Sequence, residues 1–363
     1  MTSLSKLKRS MIVARLIIAL AVAASAPCAV FAQFGVIFGD DGRAAENQFS
    51  RLSLSSEGIV AATDRDAKCV RLWDVEEGPL RRKMDGFTDS VQTLSFSEDG
   101  KTLAIGDQEK VISLFDTESG QRTKTLNGHR SKVSCLAFSP GGKTLASGND
   151  EGEFFLWNIE TGEMIHRFPQ PTGWMNAFAF LPDGETLLAS FSEKQLDEEA
   201  SSGVQFWNLK SGERTANLRL VPFRPRWVAA SSDGKLMAYS SRGLVLLWDV
   251  STRTLLRALV CEGNDWIDQI AFSPDGRHLA AVTHQSGDVV RVWDVTTTRQ
   301  VWRRDFKNPV LHLSFTRDGS TLVSADRESL RLYDFESTTL RREWFPQGDA
   351  LRDHDPKVVG AKP

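Results

Sequence analysis

The chain has 363 residues, 41% hydrophobic and 25% charged, with 44 Lys plus Arg against 47 Asp plus Glu and a net charge of −3. That length admits one large repeat domain or two ordinary ones. The balance offers no support for a nucleic-acid partner, which needs a basic field. Four widely spaced cysteines make no disulfide framework, and none sits in a metal-type pair.

Residues 1–32 read as a signal peptide. Lys6, Lys8, Arg9 and Arg15 form a cationic start, and Leu16 to Ala26 is an apolar run too short for a comfortable membrane span. Val30-Phe31-Ala32 supplies the residues of a cleavage site, which makes Gln33 the first mature residue. An uncleaved anchor is the competing reading; Pro27 and the short apolar core weigh against it, and Pro27 ahead of Cys28 fits a lipid-attached cysteine poorly. Export to the periplasm or the extracellular space is expected. It would leave 40 basic and 47 acidic side chains, a net charge of −7. Of the remaining cysteines, Cys69 and Cys135 lie in strand patterns and are expected to be buried thiols, while Cys261 follows a strand and is expected to be the accessible one. No Asn-x-Ser/Thr acceptor is present. Residues 33–48 form an N-terminal linker in which Phe34–Phe38 is a candidate extra strand.

From residue 49 to 346 the chain repeats itself. Apolar strands end in an aromatic followed by Asp or Asn at Trp73, Phe115, Trp157, Trp207, Trp248, Trp293 and Tyr333, at intervals of 42, 42, 50, 41, 45 and 40 residues. That period predicts propeller blades in tandem. Each unit opens with an apolar strand running into a Ser-Pro-Asp-Gly-like turn, as in LAFSPGGKTLASG (136–148), FAFLPDGETLLAS (178–190) and IAFSPDGRHLAAV (270–282). The first copy, LSLSSEGIVAAT (52–63), is shortened in its turn. Pro presets the turn dihedral, Asp bonds nearby backbone and Gly takes the positive φ, so Asp183, Asp233, Asp275 and Asp318 read as turn formers rather than acids or metal ligands. A second strand, a variable loop and a third strand follow. Leu244-Val245-Leu246-Leu247-Trp248 is apolar at every position, which predicts burial on both faces. The fourth strand is charged, as in Leu80-Arg81-Arg82-Lys83 and Leu340-Arg341-Arg342. An anion-binding surface is one reading of those arginines; protection of an exposed sheet edge is the stronger one.

Taken together these motifs resemble the WD-repeat family over residues 49–346. The resemblance implies an all-β fold, a seven-bladed β-propeller of four-stranded antiparallel blades around a central channel. Family blades carry a hydrogen-bonded set of His, Ser, Asp and Trp. Only Gly128-His129 matches its His, with Ser147 and Trp157 in place and Glu151 where the Asp is expected. For ring closure, Thr338 to Phe345 repeats the fourth-strand pattern and is favoured over Phe34–Phe38. Residues 347–363 read as a flexible tail.

A search for catalytic constellations is nearly empty. Gly142-Lys143-Thr144 echoes a phosphate loop but sits in a hairpin turn, and Ala137 takes the place of the leading Gly. The six His residues lack metal-ligand spacing; His166, His278 and His312 fall within strand patterns. There is no nucleophile elbow and no His-Glu-x-x-His helix. No catalytic residue, metal ligand or cofactor is assigned.

Recognition leaves better traces. Loops entering the first strands and loops between second and third strands share one rim, conventionally the top. Trp174 and Trp266 take the same position in blades four and six, and blade five brings Arg224 and Arg226 between them. Trp and Arg are enriched in binding hot spots. The alternative is that both Trp rings fold down to plug the channel. The 50-residue interval comes from an acidic insertion, Ser192 to Ser202, on the same rim. The leading reading is a non-enzymatic scaffold that docks a protein partner there. A small-ligand, hydrolase-like or quinoprotein-like propeller and a structural subunit of an envelope assembly are the alternatives.

Overall fold

The computed structural model describes residues 52–353 apart from 56–57, 64–67, 75–79, 88, 169–173, 193–201, 220–224, 262–265, 285–287, 327 and 348–349. Its strands form seven antiparallel sheets, in each of which the strands neighbour one another in chain order, and no helix occurs among the described residues. The innermost strands are Leu52–Leu54, Val91–Phe96, Val133–Phe138, Trp174–Phe180, Val228–Ala230, Trp266–Phe272 and Val310–Phe315. Each lies against the innermost strand of the next blade, and the last lies against the first. The chain is a closed seven-bladed β-propeller.

Burial follows the radial order. In blade two the second and third strands, Thr102–Asp107 and Val111–Asp116, are almost wholly buried, while the outer Arg122–Asn127 is mostly exposed. Each pair of adjacent blades shares one apolar cluster, so seven clusters encircle the channel. Burying a large side chain contributes about 1.5–3 kcal/mol, and a ring of such contacts needs no disulfide. Cys69 and Cys135 are buried as expected. Cys261 is buried too, because its backbone N–H bonds Gly243 O and turns the thiol into the cluster between blades five and six. It is therefore not the accessible thiol. Gly148 permits a close blade approach: a Cβ there would stand 2.7 Å from Cys135 Sγ and 3.0 Å from Met175 Cβ.

The recurring aromatic–Asp ending divides its labour. The aromatic enters an interblade cluster, and the next residue caps the turn that follows. Asp116, Asn158, Asn208, Asp249, Asp294 and Asp334 each accept, through Oδ1, the N–H three residues on. The Ser-Pro-Asp-Gly carboxylates act as turn formers: Asp275 Oδ1 accepts from Ser273 Oγ and Arg277 N, and Gly276 follows at φ +70°. One expectation is softened. Trp248 is only half-buried, against the near-complete burial of Trp157 and Trp207, with its ring 6.3 Å from that of the buried Tyr239.

The C-terminal segment completes blade seven. Leu340–Gln347 pairs with Leu330–Asp334 as the fourth strand, and Val60, Ala62 and Trp73 of blade one pack with Val323, Ala325, Leu330, Leu332 and Trp344 of blade seven. Residues 1–51, including Phe34–Phe38, lie outside the described residues. Part of the expected tail is a strand. Ala350–Asp353 pairs antiparallel with Leu340–Gln347 and gives blade seven a fifth strand. Polar composition suggested a tail, but an outermost strand offers unpaired N–H and C=O groups whatever side chains follow it.

Candidate docking site on the rim of blades five and six

Backbone irregularity sets this site. The pairing of the innermost strand of blade six slips between Ile267 and Gln269, leaving Asp268 as the bulged residue. Such bulges re-aim a side chain. Asp268 Oδ1 receives Arg226 Nη1 from blade five, and Asp268 Oδ2 lies 2.9 Å from His284 Nε2 on the next strand of blade six. The other ring nitrogen, His284 Nδ1, lies 2.5 Å from Asp288 Oδ1. Asp288 Oδ2 in turn accepts the backbone N–H of Val310, where blade seven begins. A continuous chain, Arg226–Asp268–His284–Asp288, thus joins blades five and six and ends on the backbone of blade seven.

The charges alternate. Burial works to lower the His284 pKa, but the hydrogen bonds and fields of Asp268 and Asp288 outweigh it and hold the ring at about 9. Burial works to raise Asp268, and the His284 bond with the Arg226 field keeps it below the ordinary carboxylate value. At neutral pH the imidazolium donates from both nitrogens.

This chain positions an aromatic platform. Arg226 lies 5.2 Å from the Trp266 ring centroid, and Arg242 lies 4.7 Å from it. Arg242 stands in the tight turn where Ser241 N bonds Leu244 O, on the same rim. Cation–π contacts of this kind are worth about 0.5–1 kcal/mol when exposed. Trp266 remains 37% exposed.

Of the residues singled out by sequence, Arg226 and Trp266 meet. Trp174 takes the matching position on blade four and is half-buried, but no ring or cation contact joins it to this set among the described residues. Its strand contributes indirectly: Asn176 Nδ2 donates to Ser192 Oγ and to Pro225 O, holding the backbone that leads to Arg226. Arg224 and most of the acidic insertion lie outside the described residues. Sequence reading missed Arg242, Asp268, His284 and Asp288. Strand order alone places Arg242 on the top rim; a bulge that turns Asp268 inward left no such signal.

Blade three holds the second polar set. Trp157 Nε1 donates to Ser147 Oγ at 2.7 Å, and His129 Nε2 lies 2.7 Å from the same hydroxyl. The acid beside them is Glu153, not Glu151. Strand pairing resumes at Phe154, so Glu153 turns inward and is 1% exposed, while Glu151 faces solvent and only its N–H bonds Asn149 Oδ1. Glu153 accepts from Arg130 N, Asn149 Nδ2 and Arg167 Nη2. Burial works to raise its pKa and those bonds bring it below the ordinary value. His129 Nδ1 has no partner among the described residues, and burial pushes the ring down to about 4. In blade seven, Ser324 and Tyr333 take the register positions of Ser147 and Trp157.

Seven four-strand antiparallel blades with these endings define a WD40-type repeat propeller. Residues 120–158 and 254–294 match the family described as WD domain, G-beta repeat, and 65–136 match the Anaphase-promoting complex subunit 4 WD40 domain. Among curated proteins, the chain is 26% identical over 148 residues to target of rapamycin complex subunit wat1 of Schizosaccharomyces pombe, covering 40% of this chain and 46% of that protein. It is 31% identical over 130 residues to small ribosomal subunit protein RACK1y of Oryza sativa subsp. japonica, covering 33% of this chain and 37% of that protein. The corresponding RACK1 of Schizosaccharomyces pombe is 30% identical over 114 residues, covering 28% and 35%. The chain thus spans less than half the length of the curated relatives it matches.

Proposed function

We propose that the chain is a non-enzymatic protein-binding scaffold that docks a protein partner on the top rim of blades four to six. The observation that carries the reading is Trp266, exposed beside two guanidiniums, one of which is held by a half-buried ionic chain. A large aromatic kept in place at a rim matches the composition of binding hot spots. The relatives support the class, since their names describe subunits of larger assemblies. The sequence pattern adds Trp174 and Arg224 as further candidates on this rim, and the cationic, apolar start of the chain supports export, so the partner is sought in the periplasm or outside the cell.

The test is partner capture from the native compartment by wild type and by Trp266→Ala and Trp174→Ala, with thermal melts to confirm folding. Loss of recovery is expected for Trp266→Ala. Undiminished recovery with both folded variants would remove the rim from consideration. Amino-terminal sequencing of the protein recovered from the envelope fraction checks export, which predicts a start at Gln33.

A further inference from the structure

Most outer strands are guarded by charge, for example with Arg81, Arg82 and Lys83 in blade one and Arg303, Arg304 and Asp305 in blade six, while Met164–Phe168 of blade three carries only Arg167, with Met164 and Ile165 39% and 42% exposed. Blade five offers the longer weakly charged edge. Its outer strand, Thr254–Val260, reads TLLRALV and carries a single charged residue, Arg257. Leu256, Ala258 and Val260 alternate onto one face, and Leu256 and Val260 are 43% and 65% exposed. Among the described residues this strand pairs only with Leu244–Asp249, so its other edge is open. Blade seven shows what such an edge does in this fold: it accepts Ala350–Asp353 as a fifth antiparallel strand.

The upper end of the blade-five edge meets the platform already described. Val260 is paired with Leu244, and the Cys261 N–H bonds Gly243 O, which sets the strand's end beside the Arg242 turn. Charge at that point is unbalanced. Asp268 matches Arg226, and Asp268 with Asp288 matches His284, whereas Arg242 has no carboxylate partner among the described residues. Among the described residues Arg242 is thus an exposed cation at the strand's end, which favours an acidic group facing it.

Resting on the rim reading above, we infer that blade five binds an extended segment of a protein partner by strand addition. The segment enters at the rim with an acidic residue facing Arg242. It then runs antiparallel to Thr254–Val260, with aliphatic side chains at every second position against Leu256, Ala258 and Val260. Backbone bonds supply affinity, and the alternate side chains with the carboxylate supply selection.

The experiment uses three synthetic peptides: Asp-Glu-Val-Thr-Val-Thr-Val, the same peptide with two leading lysines, and a version interrupted by proline. Calorimetry with the full mature chain is expected to show binding of the acidic peptide and roughly tenfold weaker binding of the lysine form. The proline form should not bind, because it cannot complete the strand ladder. Arg242→Ala and the paired Leu256→Lys, Val260→Lys change should each weaken the acidic peptide by about tenfold, and both lie on exposed positions that folding tolerates. Equal binding of acidic and lysine peptides, binding of the proline form, or no binding of the acidic peptide would overturn the inference. If partner capture needs Trp266 but ignores the charged edge, the rim reading stands and this one falls; if neither change matters, both fall. A dimer in light scattering that Val260→Lys dissociates would make the occupant a second copy and equally overturn it.

Discussion

Two histidines on this ring show how differently one side chain is used. In blade three, His129 is sealed among Ser147, Phe155 and Trp157, with its ring 4.4 Å from that of Phe155. Burial without an accepting carboxylate holds it near 4, neutral at physiological pH. At the mouth of blades five and six, His284 sits between Asp268 and Asp288 and stays charged to about 9. Blade three spends its polar groups inward, on fixing a blade. The mouth connects its polar groups outward, through Arg226 to an exposed Trp266. The decisive difference is whether a carboxylate reaches the ring: Glu153 is drawn away to Arg130 N, Asn149 and Arg167.

The largest expected effect separates the interiors of the two regions. Trp157→Ala removes a buried ring and the donor to Ser147, and should cost about 3–5 kcal/mol in denaturant unfolding. Trp248→Ala, at the half-buried counterpart in blade five, should cost about 1–3 kcal/mol. Equal losses would mean that blade five is packed as tightly as blade three.

Stability against pH probes the histidines directly. His129 is depressed, so its contribution is full above about 6.5 and is lost as pH falls through about 4. His284 is raised, so its contribution is full below about 6.5 and is lost as pH rises through about 9. Each shift corresponds to roughly 3 kcal/mol. Melting temperatures across that range should fall on both sides. His284→Gln should flatten the alkaline limb alone, and His129→Gln should shrink the acid limb without abolishing it, since buried His312 also lies near 4. An alkaline limb unchanged in His284→Gln would dissolve the contrast.

A smaller test sharpens the acid assignment. Glu153→Gln should cost about 2 kcal/mol by weakening charge-assisted bonds, whereas Glu151→Gln should be close to neutral in the same unfolding assay. The smallest effect lies in the turns after the third strands, where blades two to four use Gly120, Gly162 and Gly212 at positive φ but blades five to seven use Arg253, Thr298 and Thr338. Thr338→Gly should stabilise by about 1 kcal/mol, read as a raised melting temperature. A lower one would show that Thr338 is held by more than its backbone.

Much of the scaffold was legible in the sequence because it rests on local and periodic signals. Trp157-Asn158 and its counterparts announce a buried ring followed by a turn cap, and Asp275-Gly276 announces a hairpin, each within a few residues. The misreadings share a cause. Spacing points to Glu151, although where strand pairing resumes decides which acid turns inward. A place after a strand suggests an accessible Cys261, although its N–H bond to Gly243 O folds it under the next blade. Composition suggests a tail at Ala350–Asp353, but composition is blind to an open sheet edge.

The sequence by itself determined the number of blades, their strand order and the rim on which Trp266 and Arg226 emerge, because period and alternation fix which residues a sheet can bury. Only the tertiary structure decided that Arg242, Asp268, His284 and Asp288 join them. Those residues come from different strands and two blades, and one bulge aims Asp268 at both neighbours. Contacts between distant segments depend on close packing around the ring, which a one-dimensional pattern does not encode.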